Sequence, residues 1–160
     1  AYPRALMLQL VNVGHKSLAD YATIAARGLL DEIRVLAAPL AGKRVLHLSA
    51  TAFGGGVAEI NYTLVPLMQD AGLEVEWRII RGAEEFFNVT KSFHNGLQGH
   101  AVDFPPEARA LYEDVCRANA AELTRPYDFV VIHDPQPLAI RDFVTRSQDR
   151  STWWIWRSVI

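Results

Sequence analysis

Residues 44–66 read RVLHLSATAFGGGVAEINYTLVP, and the fold follows from how that stretch divides. Arg44 to Leu48 is a short apolar run, the pattern of a strand buried inside a sheet. Ser49, Ala50 and Thr51 follow, and then three glycines close together, Gly54, Gly55 and Gly56. Beyond them Val57, Ile60, Leu64, Leu67 and Met68 recur at helical spacing. Strand, glycine loop and helix, in that order, open a Rossmann-type βαβ unit. Glycines let the backbone turn sharply and approach a ligand with no Cβ in the way. The helix then offers unpaired N–H groups and a partial positive charge to whatever lies over the loop. A phosphate or a sugar hydroxyl suits that position, and a plain tight turn is the other use of the same glycines. The run is not GxGxxG and lacks the Lys-Ser/Thr ending of a P-loop, which disfavours a dinucleotide or Walker site.

A chain of 160 residues, half of them hydrophobic, holds one domain or one domain with an added arm. The net charge is −2 and no basic stripe is visible, so nucleic acid is not an expected partner. The single cysteine, Cys116, excludes an internal disulfide and is expected as a packed core thiol. No apolar run approaches the roughly 20 residues of a membrane span, so no membrane partner is expected. The opening AYPRALMLQLVNV lacks a small-residue cleavage site, so no signal peptide is read and a cytoplasmic location is expected.

Taken in order, residues 1–16 are expected as an N-terminal arm and 17–160 as the Rossmann-like domain. Ser17 with Asp20 reads as a capped helix start. Apolar spacing from Leu18 to Leu36 predicts a helix over about 18–38, with a possible break at Gly28 and an end at Pro39 and Gly42. The glycine-loop helix should be bent by Pro66 and capped by Gly72. Leu73 to Ile80 is the second strand, its apolar residues alternating with Glu74, Glu76 and Arg78. Asp103 with Pro105 and Pro106 starts a further helix that presents Ala108, Leu111, Tyr112, Val115, Cys116 and Ala120 on one side. Phe129 to Ile132 is a buried strand, a helix over 138–145 follows, and 152–157 is the last strand. Trp153, Trp154 and Trp156 would be costly to leave exposed, so the chain is expected to continue, or another chain to cover them.

Two further stretches carry chemistry. In residues 84–99, EEFFNVTKSFHNGLQG, the side chains of Lys91, His94, Asn95 and Gln98 share one helical face, with Asn88 nearby. Uncharged donors beside an imidazole and an ammonium suit a hydroxyl-rich ligand, although an ordinary solvated face has the same pattern. The strand at Phe129 ends in His133 and Asp134, and open α/β folds bind ligands at the carboxyl ends of their strands. A neutral His133 could donate to or accept from a substrate hydroxyl. His47, in mid-strand, is expected in the core. No metal-ligand spacing is present, and no metal is expected.

The stretches HLSATAFGGGVAEI, EEFFNVTKSFHNGLQG, FVVIHDPQPLAI and WWIWR, in that order, resemble the N-terminal half of trehalose synthases that transfer glucose from a nucleotide sugar. Retaining trehalose phosphorylases carry closely similar motifs. Both are family-four glycosyltransferases of the two-domain GT-B architecture. Leu18-Ala19-Asp20-Tyr21 is similar to that family's Leu-x-Asp-Tyr segment.

The resemblance implies an α/β fold, one Rossmann-like half of a GT-B pair. It implies transfer of glucose from a nucleotide-diphosphate-glucose to the anomeric hydroxyl of glucose, giving trehalose with retention and no catalytic metal or other cofactor. By similarity Gly54, Gly55 and Gly56 lie beside the donor's phosphate and sugar, and His133 lies against the donor glucose as the catalytic histidine. Asp134, Asn88, Lys91, His94 and Asn95 would face the acceptor glucose, with Arg157 as a further acceptor-side residue. Family members continue after Trp-Arg with Cys-His-Ile-Asp and a C-terminal domain that supplies most of the donor site. Here Ser158, Val159 and Ile160 follow Arg157. The expectation is a chain inactive alone, completed by the missing domain or a partner chain. Trehalose phosphorylase, or a non-catalytic sugar-binding or homodimer-forming module, is the alternative.

Overall fold

The structure, a computed structural model, describes residues 8–144 and 152–158. Strand β1 (Leu8–Leu10) is followed by a single 3-10 turn over Leu18–Tyr21 and then helix α1 (Leu29–Ala37). Strand β2 (Arg44–Ser49), helix α2 (Gly55–Asp70) and strand β3 (Glu74–Ile80) form the expected βαβ unit. Helices α3 (Glu84–Leu97) and α4 (Pro106–Ala120) lead to β4 (Phe129–His133), the short helix α5 (Ile140–Phe143) and β5 (Trp153–Arg157). The sheet order is β1-β3-β2-β4-β5, with only β1 antiparallel to its neighbour. The fold is therefore α/β and Rossmann-like, and β1 in the expected arm adds an edge strand beside β3.

β2 is central because its run from Val45 to Ser49 is buried, as a strand covered on both faces must be. One face packs Val45, Val75 and Trp77 against Ala58 and Val65 of α2 and Ala37 of α1. The other packs Leu46, Leu48, Val130 and Ile132 against Phe86 of α3, Val115 and Cys116 of α4, and Ile140 of α5. The polar residues that alternate in β3 are half-buried at Glu76 and Arg78 rather than free in water. The Glu76 carboxylate binds the Arg78 and Arg125 guanidinium groups and accepts from the Tyr127 hydroxyl.

The long helix expected over 18–38 is two pieces. Gly28 stands in the left-handed region at φ 83°, which interrupts the helical path, so α1 begins only at Leu29. The Ser17 cap is present: its Oγ accepts from the Ala19 N–H, and the Asp20 carboxylate accepts from the Ser17 N–H. It starts one turn only, which the Asp70 carboxylate ties to the end of α2 by accepting from the Leu18 N–H at 2.8 Å. α2 runs through Pro66 without ending. Its cap is Ala71 rather than Gly72, and Gly72 takes the left-handed position one residue further on. The Gly72 N–H donates to the Gln69 carbonyl and the Leu73 N–H to the Met68 carbonyl, the paired closure of a Schellman turn. α4 starts from Pro105, not Asp103, because a proline at the first helical position needs no donor capped. The helix expected over 138–145 is only α5, and residue 145 lies outside the described residues.

Candidate functional site

Four parallel strands end side by side, at Ser49 of β2, Ile80 of β3, His133 of β4 and Arg157 of β5. Side chains alternate across a sheet, so the register decides which of these groups meet. His47 pairs with Val131, and His133 with Arg157. His47, His133 and Arg157 therefore share the face that α2 covers. His47 Nδ1 lies 2.9 Å from His133 Nε2, and both residues are buried, 3% and 1% exposed. His47 was expected in the core, and it is there. Its bond to His133 was not foreseen. One signal was available, a titratable residue inside an otherwise apolar run.

Burial disfavours the charged form of both rings. It lowers the His47 pKa to about 3, with help from His133 and Arg157. It lowers His133 to about 4, with Arg157 acting in the same direction and Asp134 against it. Both imidazoles are neutral at neutral pH. Among the described residues His47 Nε2 and His133 Nδ1 have no partner, nor does either of the amide atoms of the fully buried Asn61 on α2. A buried polar atom without a partner is costly, and at a strand end it marks a place for a ligand or water.

Asp134 follows directly. Among the described residues it is the one non-glycine with positive φ, 64°. Its N–H donates to the Arg157 carbonyl at 2.9 Å and its Oδ1 accepts from the Ser158 hydroxyl at 3.1 Å. The Trp156 indole donates to its carbonyl. An L-residue held in this region costs on the order of 1 kcal/mol, and such strain gathers where a strand end is shaped for function. The loop after it is strapped to α4 by Tyr112, whose hydroxyl donates to the Pro135 carbonyl and accepts from the Ala139 N–H. Cys116 beside it is an inert core thiol, its pKa pushed up to about 12 by burial. Gln136 Oε1 in this loop is another buried acceptor without a partner among the described residues, missed in the sequence because two prolines around it signal only a turn.

The glycine loop is open. Gly54 (φ 69°, ψ 150°) and Gly55 (φ 78°) hold conformations that favour glycine, whereas Gly56 does not. A Cβ added at any of the three meets nothing within 4 Å. The first turn of α2 carries no side-chain cap, so its N–H groups remain available. This separates two roles. Gly54→Ala should cost roughly 1–2 kcal/mol through backbone strain. Gly56→Ala should leave stability unchanged or slightly raised, since alanine is the better helix former. If the loop cradles a ligand, Gly56→Ala should nonetheless weaken binding of a phosphate-bearing ligand. Urea denaturation and calorimetric titration of the two variants check this, and equal ligand binding by Gly56→Ala would mean the loop is only a turn.

The polar set on α3 arrives from the other layer. Phe86 docks α3 on the face that carries Ile132, opposite the imidazoles. Asn88, Lys91 and Asn95 are exposed and His94 is half-buried. The carboxyl half of α3 still reaches the same sheet edge. Phe93, Gly96 and Leu97 line an apolar recess of about 380 Å³ with Tyr112, Pro135 and Leu138. Thus His133, Asp134 and Arg157 meet at the strand ends, with the glycine loop following β2, whereas Asn88, Lys91, His94 and Asn95 lie on the side of α3 turned away from that recess, over the other face of the sheet. Among the described residues no group of three His, Cys, Asp or Glu side chains could hold a metal ion, and no helix is long and apolar enough to cross a membrane.

Residues 47–160 match the family described as trehalose synthase, N-terminal domain. The chain is 56% identical over 154 residues to a trehalose synthase of Rubrobacter xylanophilus, covering 94% of this chain and 37% of that protein. It is 44% identical over 144 residues to one of Thermococcus litoralis, with 89% and 34% covered. It is 40% identical over 146 residues to one of Pyrococcus horikoshii, with 90% and 34% covered. The chain thus spans about a third of the length of the curated relatives it matches.

Proposed function

The chain belongs to the family of trehalose synthase N-terminal domains, and from that membership we propose that it is the acceptor-side half of a retaining glycosyltransferase of the GT-B kind. In this reading glucose passes from a nucleotide-diphosphate-glucose to the anomeric hydroxyl of a second glucose, giving trehalose. The observation that carries it is His133. It is a buried, neutral imidazole at the carboxyl edge of a parallel sheet, with Nδ1 unpartnered among the described residues and Asp134 at positive φ next in the chain. Neutral imidazole can donate to or accept from a sugar hydroxyl, whereas an imidazolium can only donate. The uncapped start of α2 over Gly54–Gly56 suits the donor's diphosphate. Asp134, Arg157 and the α3 residues Asn88, Lys91, His94 and Asn95 are the acceptor side. The rest of the donor site would come from a further domain or a partner chain, and half a cleft cannot supply the positioning that drives transfer. The chain alone should therefore bind sugar and make no trehalose from nucleotide-diphosphate-glucose and glucose.

The test is a titration with glucose and trehalose followed by tryptophan fluorescence or NMR shifts. Saturable binding is expected, weakened about tenfold or more in His133→Ala, which is the worth of about one good hydrogen bond to a buried partner. Equal binding by His133→Ala, or no binding to a folded chain, would overturn the reading. The exposed edge strand supports a second one, a module that associates through β5, where Trp153 is 71% and Trp156 46% exposed. Sedimentation decides it: a dimer lost in Trp153→Ser, without sugar binding, favours that module.

A further inference from the structure

We infer that His47 is a positioning residue, which shares one proton with His133 and so sets whether His133 Nδ1 donates or accepts at the site. The inference rests on the proposed sugar-binding role of His133 for its consequence, but not for its geometry. The ring centroids are 5.2 Å apart with planes 22° from parallel. With His47 Nδ1 only 2.9 Å from His133 Nε2, the two nitrogens face each other in line, so this is an in-plane hydrogen bond rather than face stacking. Arg157 across β5 and Asp134 beyond β4 are the charged groups that act on the pair. Neither ring is charged near neutral pH, so each carries one proton.

The consequence is a matter of counting. A hydrogen bond needs one proton between the two facing nitrogens. If His47 Nδ1 holds it, His133 Nε2 is bare, the one proton of His133 sits on Nδ1, and His133 presents a donor to the site. His47 Nε2 is then a bare acceptor. If His133 Nε2 holds it, His133 Nδ1 is a bare acceptor and the proton of His47 sits on Nε2. The two rings must share the same tautomer, and their outer nitrogens always present opposite roles. Passing from the first state to the second, the shared proton crosses from His47 to His133. His133 Nδ1 releases its proton to the hydroxyl or water it touches, and His47 Nε2 takes one up. A sugar hydroxyl that accepts from His133 selects the first state, and one that donates selects the second.

Long-range ¹⁵N NMR of the imidazoles at pH 7 tests this on the chain itself, with signals assigned through His47→Asn and His133→Asn. Both rings should be neutral and in the same tautomer. Opposite tautomers, or a protonated ring, would overturn the inference. Adding glucose should move both ring signals together. His47→Asn keeps an amide where Nδ1 sits, able to donate or accept, and should keep glucose affinity within about threefold. His47→Phe keeps the ring volume without the nitrogens; it should mix the tautomers of His133 and weaken glucose binding about tenfold. Wild-type affinity in His47→Phe would remove the positioning role. If His47→Phe does not fold, the wild-type tautomers still decide. Like tautomers without glucose binding would leave the coupling standing and sink the sugar reading, and unlike tautomers with binding would do the reverse.

Discussion

Acidifying the protein from about pH 7.5 to pH 4.5 is expected to remove about 3–5 kcal/mol of folding stability, mostly through two buried histidines. His47 and His133 have folded-state pKa values of about 3 and about 4, below the ordinary 6.5 that they regain on unfolding. Between those limits the unfolded chain binds protons that the folded chain does not. Stability therefore rises with pH in this window, is complete above about 6.5, and is lost on the way down towards 4. Burial is the main cause at both rings, with Arg157 opposing the charged forms and Asp134 pulling His133 the other way. Carboxylates add their loss lower down: Asp128, held below its usual range by the Arg44 N–H and the Lys43 ammonium, matters only below about pH 4. A loss of this size is a large part of the roughly 5–15 kcal/mol of a typical domain. Urea midpoints measured across the range should fall steadily, and His47→Phe should flatten the slope by about half. Midpoints that stay level down to pH 4.5 would mean that the rings are hydrated or already charged.

Replacing Asn119 by alanine should cost about 3 kcal/mol, the largest effect expected of a single polar side chain here. Asn119 is completely buried on α4. Its Oδ1 accepts from the Arg81 N–H at 3.0 Å, and its Nδ2 donates to the Arg81 carbonyl at 2.9 Å and the Val115 carbonyl at 2.8 Å. Arg81 is the residue at which the chain leaves β3 for α3, so the amide holds that turn against α4. Truncation leaves the part-buried N–H and carbonyl of Arg81 unpaired and removes the buried bond to the Val115 carbonyl, each loss costing about 1 kcal/mol. Asn119→Asp should do no better, because a carboxylate can accept from Arg81 but cannot donate, and it brings an uncompensated charge. Denaturant unfolding gives the number, and a loss below about 1 kcal/mol would mean that water replaces the amide. Because the turn feeds α3, the same variant should also loosen the seating of that helix.

The sequence carried a good deal of this unaided. The buried run of β2, the glycine loop and the helical spacing of α2 specify a Rossmann-like βαβ unit, because periods of two and of 3.6 are local properties of the chain. The run from Phe129 ending in His133 and Asp134 likewise put a titratable pair at a strand end by local pattern alone. The Ser17 cap was legible too, because a cap and its partner lie within one turn. What local pattern could not supply is which distant groups meet. A helix over 18–38 with a break near Gly28 is what the sequence says, and Gly28 at positive φ does divide it, but ahead of the glycine only the single turn at Leu18–Tyr21 forms. Asn119 sits on the buried stripe of α4 at a position where composition reads a surface amide, and only the turn at Arg81, 38 residues away in the chain, explains it. His47 read as core, which is true, but its partner lies 86 residues along the chain. Their contact exists because β2 and β4 align His47 with Val131 and so set His133 on the same face. A shift of one residue in that pairing would turn one ring to the opposite face of the sheet, and register is a property of the assembled sheet rather than of either strand.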